Sequence, residues 1–574
     1  MSYKHIIYFY HLLSITAGLI ICSSSLNEVQ SQDLVQFADQ STLIPPVGQR
    51  THLSAAMADI NGDYRDDIIQ YSADTGYIFH IQLNNGEFFT HDAIIDPLSR
   101  TPETINIGDL DNSGVNNILS SGFYNGISII NGGENKLEPI VTDILDIDLF
   151  AQGSSMNDIN NDGWLDVVMS HDDAANIVLM NDGTGRLVES NIIDFNTTVV
   201  SDNSGNYSSI WFDADNDNDL DLYISKCRAN VDDPVDPRRI NTLYINNNGV
   251  FSEEGLAYNV ALSDQSWAAD SGDLDNDGDI DLFIINHGTS HVIMEQVEGG
   301  FIRHEISIDT DDTQVSLADF NNDGLQDILI TGIDDYLLLN EGELDFFIER
   351  NPFGAKRATT FALGDINQDG YMDANVGFVG FSDELQVNNG GDNNYVKFSL
   401  SGTTSNRSGI GAKITIHYDG RSQVRWLKSG TAYGITNSLN PHFGLNDVLE
   451  IDSISCLWPS GIEDTYSNID VNKHYVLTEA ESLQEIGIGT TSTVEVIQNS
   501  VSVYPNPTEE FLSINTKGTI NQVKILHVSG SEVYNIGNVN KSNCDLNINQ
   551  LESGTYLLNL LTSEGFSIHK FIKI

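Results

Sequence analysis

The chain of 574 residues carries 26 Lys and Arg against 83 Asp and Glu, a formal net charge of −57. That balance argues against nucleic acid as a partner, because neutralising phosphates needs clustered basic side chains, and it disfavours anionic membrane surfaces. With 40% apolar residues the chain can bury real cores, so wholesale disorder is excluded and the acid has to be solvated or to hold cations.

Residues 1–31 read as a secretory signal peptide: Lys4 and His5 start it, Ile6 to Ile21 is mostly apolar, and Val29-Gln30-Ser31 is a small-residue cleavage site. The apolar run is shorter than the roughly 20 residues of a spanning helix and is interrupted by His11 and Ser14. No later segment is long and apolar enough to span a bilayer, so no transmembrane segment is expected in the mature chain. Cys22 lies in the leader, and Cys227, Cys456 and Cys544 are scattered with no metal-type spacing, which argues against a disulfide-stapled scaffold.

A nine-residue acidic loop then recurs seven times. Complete copies run Asp158-Ile-Asn160-Asn-Asp162-Gly163-Trp164-Leu-Asp166, Asp273-Leu-Asp275-Asn-Asp277-Gly278-Asp279-Ile-Asp281, Asp319-Phe-Asn321-Asn-Asp323-Gly324-Leu325-Gln-Asp327 and Asp365-Ile-Asn367-Gln-Asp369-Gly370-Tyr371-Met-Asp373. Asp213-Ala-Asp215-Asn-Asp217-Asn218-Asp219-Leu-Asp221 has Asn for Gly, and Asp59-Ile-Asn61-Gly-Asp63-Tyr64-Arg65-Asp-Asp67 has Tyr there. The copy from Asp109 to Asn117 lacks charge at two ligand positions. Calcium wants six to eight oxygens at about 2.3–2.6 Å, and short acidic side chains at alternate positions of a tight loop can converge on one point. The first, third and fifth residues offer side-chain oxygens, the sixth-position glycine permits the turn, the seventh offers its carbonyl, and the ninth can close the shell bidentately. Magnesium, stricter in geometry, fits less well.

No helix-pair pattern flanks these loops and no Glu stands at the twelfth position; β-like runs follow instead, such as Leu165 to Met169 and Ile280 to Ile285. Successive first aspartates lie 50, 49, 55, 60, 46 and 46 residues apart, the length of one four-stranded propeller blade. A small-residue strand precedes each loop, and a third strand ends in an Asn/Gly turn, as at Asn84-Asn85-Gly86, Asn181-Asp182-Gly183, Asn246 to Gly249 and Asn340-Glu341-Gly342. The expectation is all-β: a seven-bladed β-propeller over 32–392, closed by a strand from Leu34 to Phe37. Loop, spacing and turn together resemble FG-GAP repeats, the calcium-loop propeller repeats of integrin α chains. The resemblance implies about six structural Ca2+ sites, with the loop at Asp109 left open.

Two small β domains are expected behind the propeller. Residues 393–479 contain Ser405-Asn406-Arg407-Ser408-Gly409, His442-Phe443-Gly444-Leu445 and Trp458-Pro459-Ser460-Gly461. They look like the ASPIC/UnbV domain of cartilage acidic protein-like chains. Arg407 and His442 are candidate ligand-binding residues there, against the simpler reading that Arg407 fixes a Gly-rich turn. A polar linker spans 480–500. Residues 501–574 open with Tyr504-Pro505-Asn506-Pro507 and contain Gly554-Thr555-Tyr556-Leu557. They resemble the β-sandwich sorting domain of the type IX secretion system, which implies export through the periplasm and outer membrane of a Bacteroidetes-type bacterium, to the surface or outside.

No nucleophile elbow, P-loop, His-Glu-x-x-His or dinucleotide fingerprint occurs, so no catalytic or organic-cofactor residues are assigned. His287-Gly-Thr-Ser-His291 reads as an inter-strand loop. Arg228, Arg238 and Arg239 in the long connection from Cys227 to Arg239 could meet an anionic polymer, or simply neutralise Asp232, Asp233 and Asp236. The function expected is a secreted or cell-surface calcium-binding protein that mediates adhesion to, or binds, a glycan, a matrix polymer or a surface protein. The alternative is a polysaccharide-degrading enzyme, a lyase or hydrolase, on the same scaffold.

Overall fold

The computed structural model describes residues 35–486 and 502–574, apart from 45–54, 73–75, 84–85, 87, 94–101, 125, 132–139, 197–202, 309, 528–531, 552 and 563–564. The leader expected at 1–31, the turn residues Asn84 and Asn85, and most of the linker expected at 480–500 lie outside the described residues. What is described is all-β, strands plus two short 3-10 turns at Ser41–Leu43 and Pro237–Arg239. No described helix is long and apolar enough to cross a membrane.

Seven antiparallel sheets follow one another along the chain. In the third, Ala151–Asn157 is innermost, followed outward by Asp166–His171, Ile177–Asn181 and Leu187–Ser190. The innermost strands Ala55–Ala58, Pro102–Gly108, Ala151–Asn157, Asn206–Phe212, Ser266–Gly272, Gln314–Ala318 and Ala358–Gly364 stand side by side, the last against the first, and close a propeller-like ring. Strands that converge on an axis leave little room for side chains, which is why they carry Ala55-Ala56, Gly153-Ser154-Ser155 and Ser208-Ser209, all buried. The seventh sheet takes its outer strand from the start of the described chain: Phe37–Asp39 pairs with Glu384–Asn388. This strand begins where the expected one, Leu34 to Phe37, ends. The Phe37 ring packs against Phe320 and Phe353.

Residues 394–486 build two more sheets. In one, Asn394–Ser401 lies between His442–Asn446 and its parallel partner Lys473–Thr478, which also pairs with Gln484–Ile486. In the other, Lys413–Tyr418 lies between Arg421–Trp426 and Glu450–Leu457, with Glu463–Asp470 outermost. Pairing runs to Ile486, past the expected boundary at 479, and Glu479 itself is buried. Its carboxylate accepts the N–H groups of Thr403, Thr404 and Ser405 and the hydroxyls of Ser405 and Ser460. Burial alone would raise its pKa, yet these donors hold it down to about 2. Ile410, Ile414, Phe443 and Trp458 join Ile107, Met156 and Leu165 of the ring in one continuous core.

A hairpin of this second region, residues 428–440, runs along the ring axis. Lys428 Nζ bonds Asp270 Oδ1 at 2.6 Å, Ser429 Oγ bonds the Ile107 carbonyl at 2.6 Å, and Ala432 N bonds the Ala269 carbonyl at 3.1 Å. Near the tip, the Tyr433 ring stacks on Tyr207 and its hydroxyl bonds Gln152. The returning arm adds Ile435–Thr436 as a parallel strand beside Ala55–Ala56 and then meets Leu363 and Ser316. All seven innermost strands therefore touch the hairpin, and the axis is filled by protein. Gly434 sits at the tip with φ +69°, where a Cβ would overlap the Glu103 carbonyl oxygen. Gly434→Ala should therefore cost about 1–3 kcal/mol of stability, read as a lower urea midpoint. An unchanged midpoint would mean that the hairpin does not seat in this way.

Residues 502–573 form a separate five-stranded sheet. Its two longest strands, Phe511–His527 and Glu532–Asn547, are bent by register breaks between Asn515 and Gln522. Leu512, Ile514, Val523, Ile525, Leu558 and Phe571 fill its core. Among the described residues Cys227, Cys456 and Cys544 are free thiols.

Candidate metal centres

Each acidic loop joins an innermost strand to the second strand of its sheet, and the loop orders itself through its own carboxylates. Asp158 accepts Asp162 N at 2.9 Å on one oxygen and Gly163 N at 2.8 Å on the other. Asp109, Asp213 and Asp319 repeat this pair of bonds, and Asp59 takes four N–H groups, from Asn61 to Tyr64. Such closure needs two left-handed residues. The sixth position supplies one, Gly163 at φ +87°, with Tyr64 and Asn218 adopting +67° and +69° where other loops have glycine. The fourth position supplies the other, as at Asn161, Asn216, Asn276 and Asn322, with φ between +55° and +63°.

Those fourth-position asparagines also tie loop to loop, a role not read from the sequence. Asn112 Nδ2 reaches the Gly163 carbonyl, Asn216 reaches Asp279, Asn276 reaches Gly324, and Asn322 reaches Gly370. The asparagines that end the third strands do the same backwards: Asn181, Asn340 and Asn388 bond the carbonyls of Leu110, Leu274 and Phe320 in neighbouring loops. The recurring Asn is visible in the sequence, where at Asn181 and Asn340 it signals a turn and nothing about the neighbouring loop that it reaches.

The remaining positions divide by role. Seventh residues Arg65, Trp164, Asp219, Asp279, Leu325 and Tyr371 are positioned by their N–H on the fifth-position carboxylates Asp63, Asp162, Asp217, Asp277, Asp323 and Asp369, at 2.8–3.1 Å. Ninth residues are backbone clamps as well as candidate ligands. Asp166 accepts Ile159 N at 2.9 Å and Asn181 N at 2.7 Å, spanning loop start and third strand. Asp67, Asp221, Asp281, Asp327 and Asp373 do likewise. At the third position, Asn160, Asn321 and Asn367 each donate an amide hydrogen to the fifth-position carboxylate; Asn61 accepts Asp63 N. An aspartate cannot donate, so Asp215 and Asp275 each add a carboxylate to their loop without a hydrogen bond to the fifth-position one. There the acidic oxygens crowd: Asp213, Asp215 and Asp221 in one loop, and Asp273, Asp275 and Asp277 in the other, lie within 4.8 Å of one another. Both oxygens of Asp273 and Oδ1 of Asp215 and of Asp365 are buried without a hydrogen-bond donor. Orphaned buried carboxylate oxygens fit a hard cation, so these residues could hold a metal.

Burial raises the pKa of first- and ninth-position carboxylates in several loops. Asp59, Asp158 and Asp213 move to about 6, Asp109, Asp166 and Asp273 to about 7, and Asp221, Asp281 and Asp319 to about 8. For Asp67, Asp327 and Asp373, burial and then neighbouring carboxylates push the pKa well above the usual range. Partial relief comes from the second region, which lies on the loop face. Lys397 Nζ pairs with Asp365 at 2.6 Å, Lys413 reaches Asn218 at 3.4 Å, and buried Arg425 lends its charge to Asp273 and Asp319.

The other sequence candidates all have partners within the chain. His442 is buried with Nε2 on the Gly370 carbonyl, and burial lowers its pKa to about 4; Arg407 bonds the Gly402 carbonyl. His291 pairs with buried Asp312, and His287 stacks on Trp267. The arginines of the long connection have partners: Arg228 with Asp172 and Asp173, Arg238 with Asp236, and Arg239 with the carbonyls of Ser263 and Val231.

Three family models match the chain: FG-GAP-like repeat at 158–224, 273–330 and 319–375, ASPIC and UnbV at 402–484, and Secretion system C-terminal sorting domain at 502–574. No curated protein matches it. Among solved structures, BBS1N in complex with ARL6DN, from crystals soaked with lead or with mercury, is 9% identical and matches over 61% of this chain and 96% of its own. The TM-scores are 0.39 and 0.38. The extracellular domain of a one-component system from B. thetaiotaomicron is 10% identical over 94% of this chain and 57% of its own, with a TM-score of 0.38.

Proposed function

From a chain that carries FG-GAP-like repeats, an ASPIC/UnbV domain and a sorting domain that sends it by type IX secretion to the cell surface or outside, we propose a calcium-stiffened adhesion or binding protein. On this reading residues 32–392 are a seven-bladed propeller, the ASPIC/UnbV-like domain follows from 393 and runs on to Ile486, and the sorting domain occupies 501–574. Calcium is held by the first, third, fifth and ninth side chains and the seventh carbonyls of about six loops. The observation that carries it is the set of buried, donorless carboxylate oxygens at Asp215, Asp273 and Asp365. Millimolar extracellular calcium suits sites of this type.

The partner is an extracellular glycan, matrix polymer or surface protein. Affinity electrophoresis of the full chain in millimolar calcium, through gels cast with neutral and anionic polysaccharides, tests this together with capture on immobilised matrix proteins. Retardation or capture without soluble products is the expected result. Release of soluble sugar would overturn it in favour of a polymer-degrading enzyme.

A further inference from the structure

The ring offers a ligand fewer places than an open propeller would. The 428–440 hairpin fills its axis, and the sheets of 394–486 lie on the acidic-loop face. The opposite face, which carries the turns between second and third strands, is left. On it Phe123 and Tyr124 stand 43% and 40% exposed. The Phe123 ring packs 3.7 Å, centroid to centroid, from Phe150, with Tyr124 at 5.8 Å from the same ring. A polar fork borders this platform: the Tyr124 hydroxyl bonds Asp173, and Arg228 bridges Asp173 at 3.1 Å and Asp172 at 3.0 Å. Asp172 is fixed in turn by Gln152 Nε2 at 3.2 Å, and Gln152 receives the Tyr433 hydroxyl. A continuous chain of hydrogen bonds thus runs from the hairpin tip to the surface and holds the fork still.

We infer that this platform is a binding subsite for a neutral hexose unit of an extracellular polysaccharide. The inference rests on the binding reading above and names its ligand class. An exposed aromatic ring offers an apolar face on which the C–H face of a pyranose can stack, and contiguous exposed aromatics mark such surfaces. A carboxylate–guanidinium fork beside the rings accepts and donates hydrogen bonds in one plane, matching vicinal hydroxyls. Side-chain exposures of 30% for Arg228 and 38% for Asp173 leave the fork reachable. Charge selects the polymer. Arg228 is already matched by two carboxylates, Asp146 and Asp148 are exposed in the connection next to Phe150, and the chain carries −57 overall, so a uronate or sulfated polymer is repelled.

The test is affinity electrophoresis of the full chain in millimolar calcium through dextran, hydroxyethylcellulose and galactomannan, with polygalacturonate as the anionic gel. Wild type should be retarded by at least one neutral polymer and not by polygalacturonate. Replacing Phe123 and Tyr124 together by Ala should weaken that retardation about tenfold or more. Tyr124→Phe, which loses only the bond to Asp173, should weaken it less, and Val235→Ala on the same face, 74% exposed, should not change it. Melting curves of each variant establish that the fold is kept. Equal retardation of the double variant and wild type, or retardation by polygalacturonate alone, overturns the subsite and leaves the binding reading standing. No retardation in any gel but capture on a matrix protein does the same. Neither retardation nor capture overturns both.

Discussion

Stripping calcium from the full chain with excess chelator should lower its melting temperature by about 5–10 °C. A site filled at ten times its dissociation constant adds about 1.4 kcal/mol to the folded state, so six such sites add about 8 kcal/mol. In a cooperative unit of about 450 residues each kcal/mol moves the midpoint by only about 1 °C. The pH dependence carries a sign that a generic cofactor effect would not. Asp213, Asp273 and Asp281 have folded-state pKa values raised to about 6, 7 and 8 by burial. Unfolded, they titrate near 3.9. A raised acid pKa means that the folded state binds more protons, so its stability is full below the unfolded pKa and falls from there until pH has passed the folded pKa. The chelated protein should therefore melt progressively lower from about pH 4, where the unfolded carboxylates ionise, up to about pH 8. Calcium, which needs the ionised form, should rescue most at the upper end. A melt indifferent to exhaustive chelation at pH 8 would remove the metal reading.

Asp327→Ala should destabilise the protein by about 2–4 kcal/mol, and should do so in chelator as well as in calcium. Asp327 is buried, and its two oxygens accept Phe320 N at 2.9 Å and Asn340 N at 2.8 Å. Alanine leaves both backbone donors inside without a partner, each costing about 1–3 kcal/mol, offset in part by removing a poorly solvated charge. Asp327→Asn keeps an acceptor and removes that charge, so in chelator it should lose less than alanine does; in calcium it also forfeits a ligand. Asp277→Ala, at an exposed fifth position, should stay within about 1 kcal/mol of wild type in chelator and lose stability only when calcium is present. Urea midpoints of the three variants with and without calcium decide the matter. If Asp327→Ala matched wild type in chelator, the clamp would be wrong and the ninth residue would be a ligand alone.

Much of this was legible beforehand because it is local. A loop of nine residues with acids in alternate phase, repeated at one blade length, names its own turn and its neighbouring strands. Asp166, Asp221, Asp281 and Asp327 each open the strand expected after them. What the loop residues do for one another was less legible. Reading ligand phase alone treats Asn160 and Asp275 as equivalent oxygens, but only the amide can donate, so three carboxylates collect where the third residue is Asp. Arg407 and His442 likewise read as ligand candidates because a single sequence does not show the backbone carbonyl that each will meet.

The sequence by itself determined the all-β class, the recurring acidic turns, the order of the modules and the export address, because each is written in contiguous residues whose spacing matches a period of the backbone. Only the tertiary structure decided that the hairpin at 428–440 fills the ring axis, that Lys397 and Arg425 bring positive charge to the loops, and that Tyr433 steadies Asp172 and Arg228 through Gln152. Ile435 lies hundreds of residues along the chain from the Ala55 it pairs with. No periodicity connects such partners; they meet because the converging innermost strands are too small-chained to fill the space they enclose, and burying a second region's hairpin there satisfies both apolar surface and backbone polar groups.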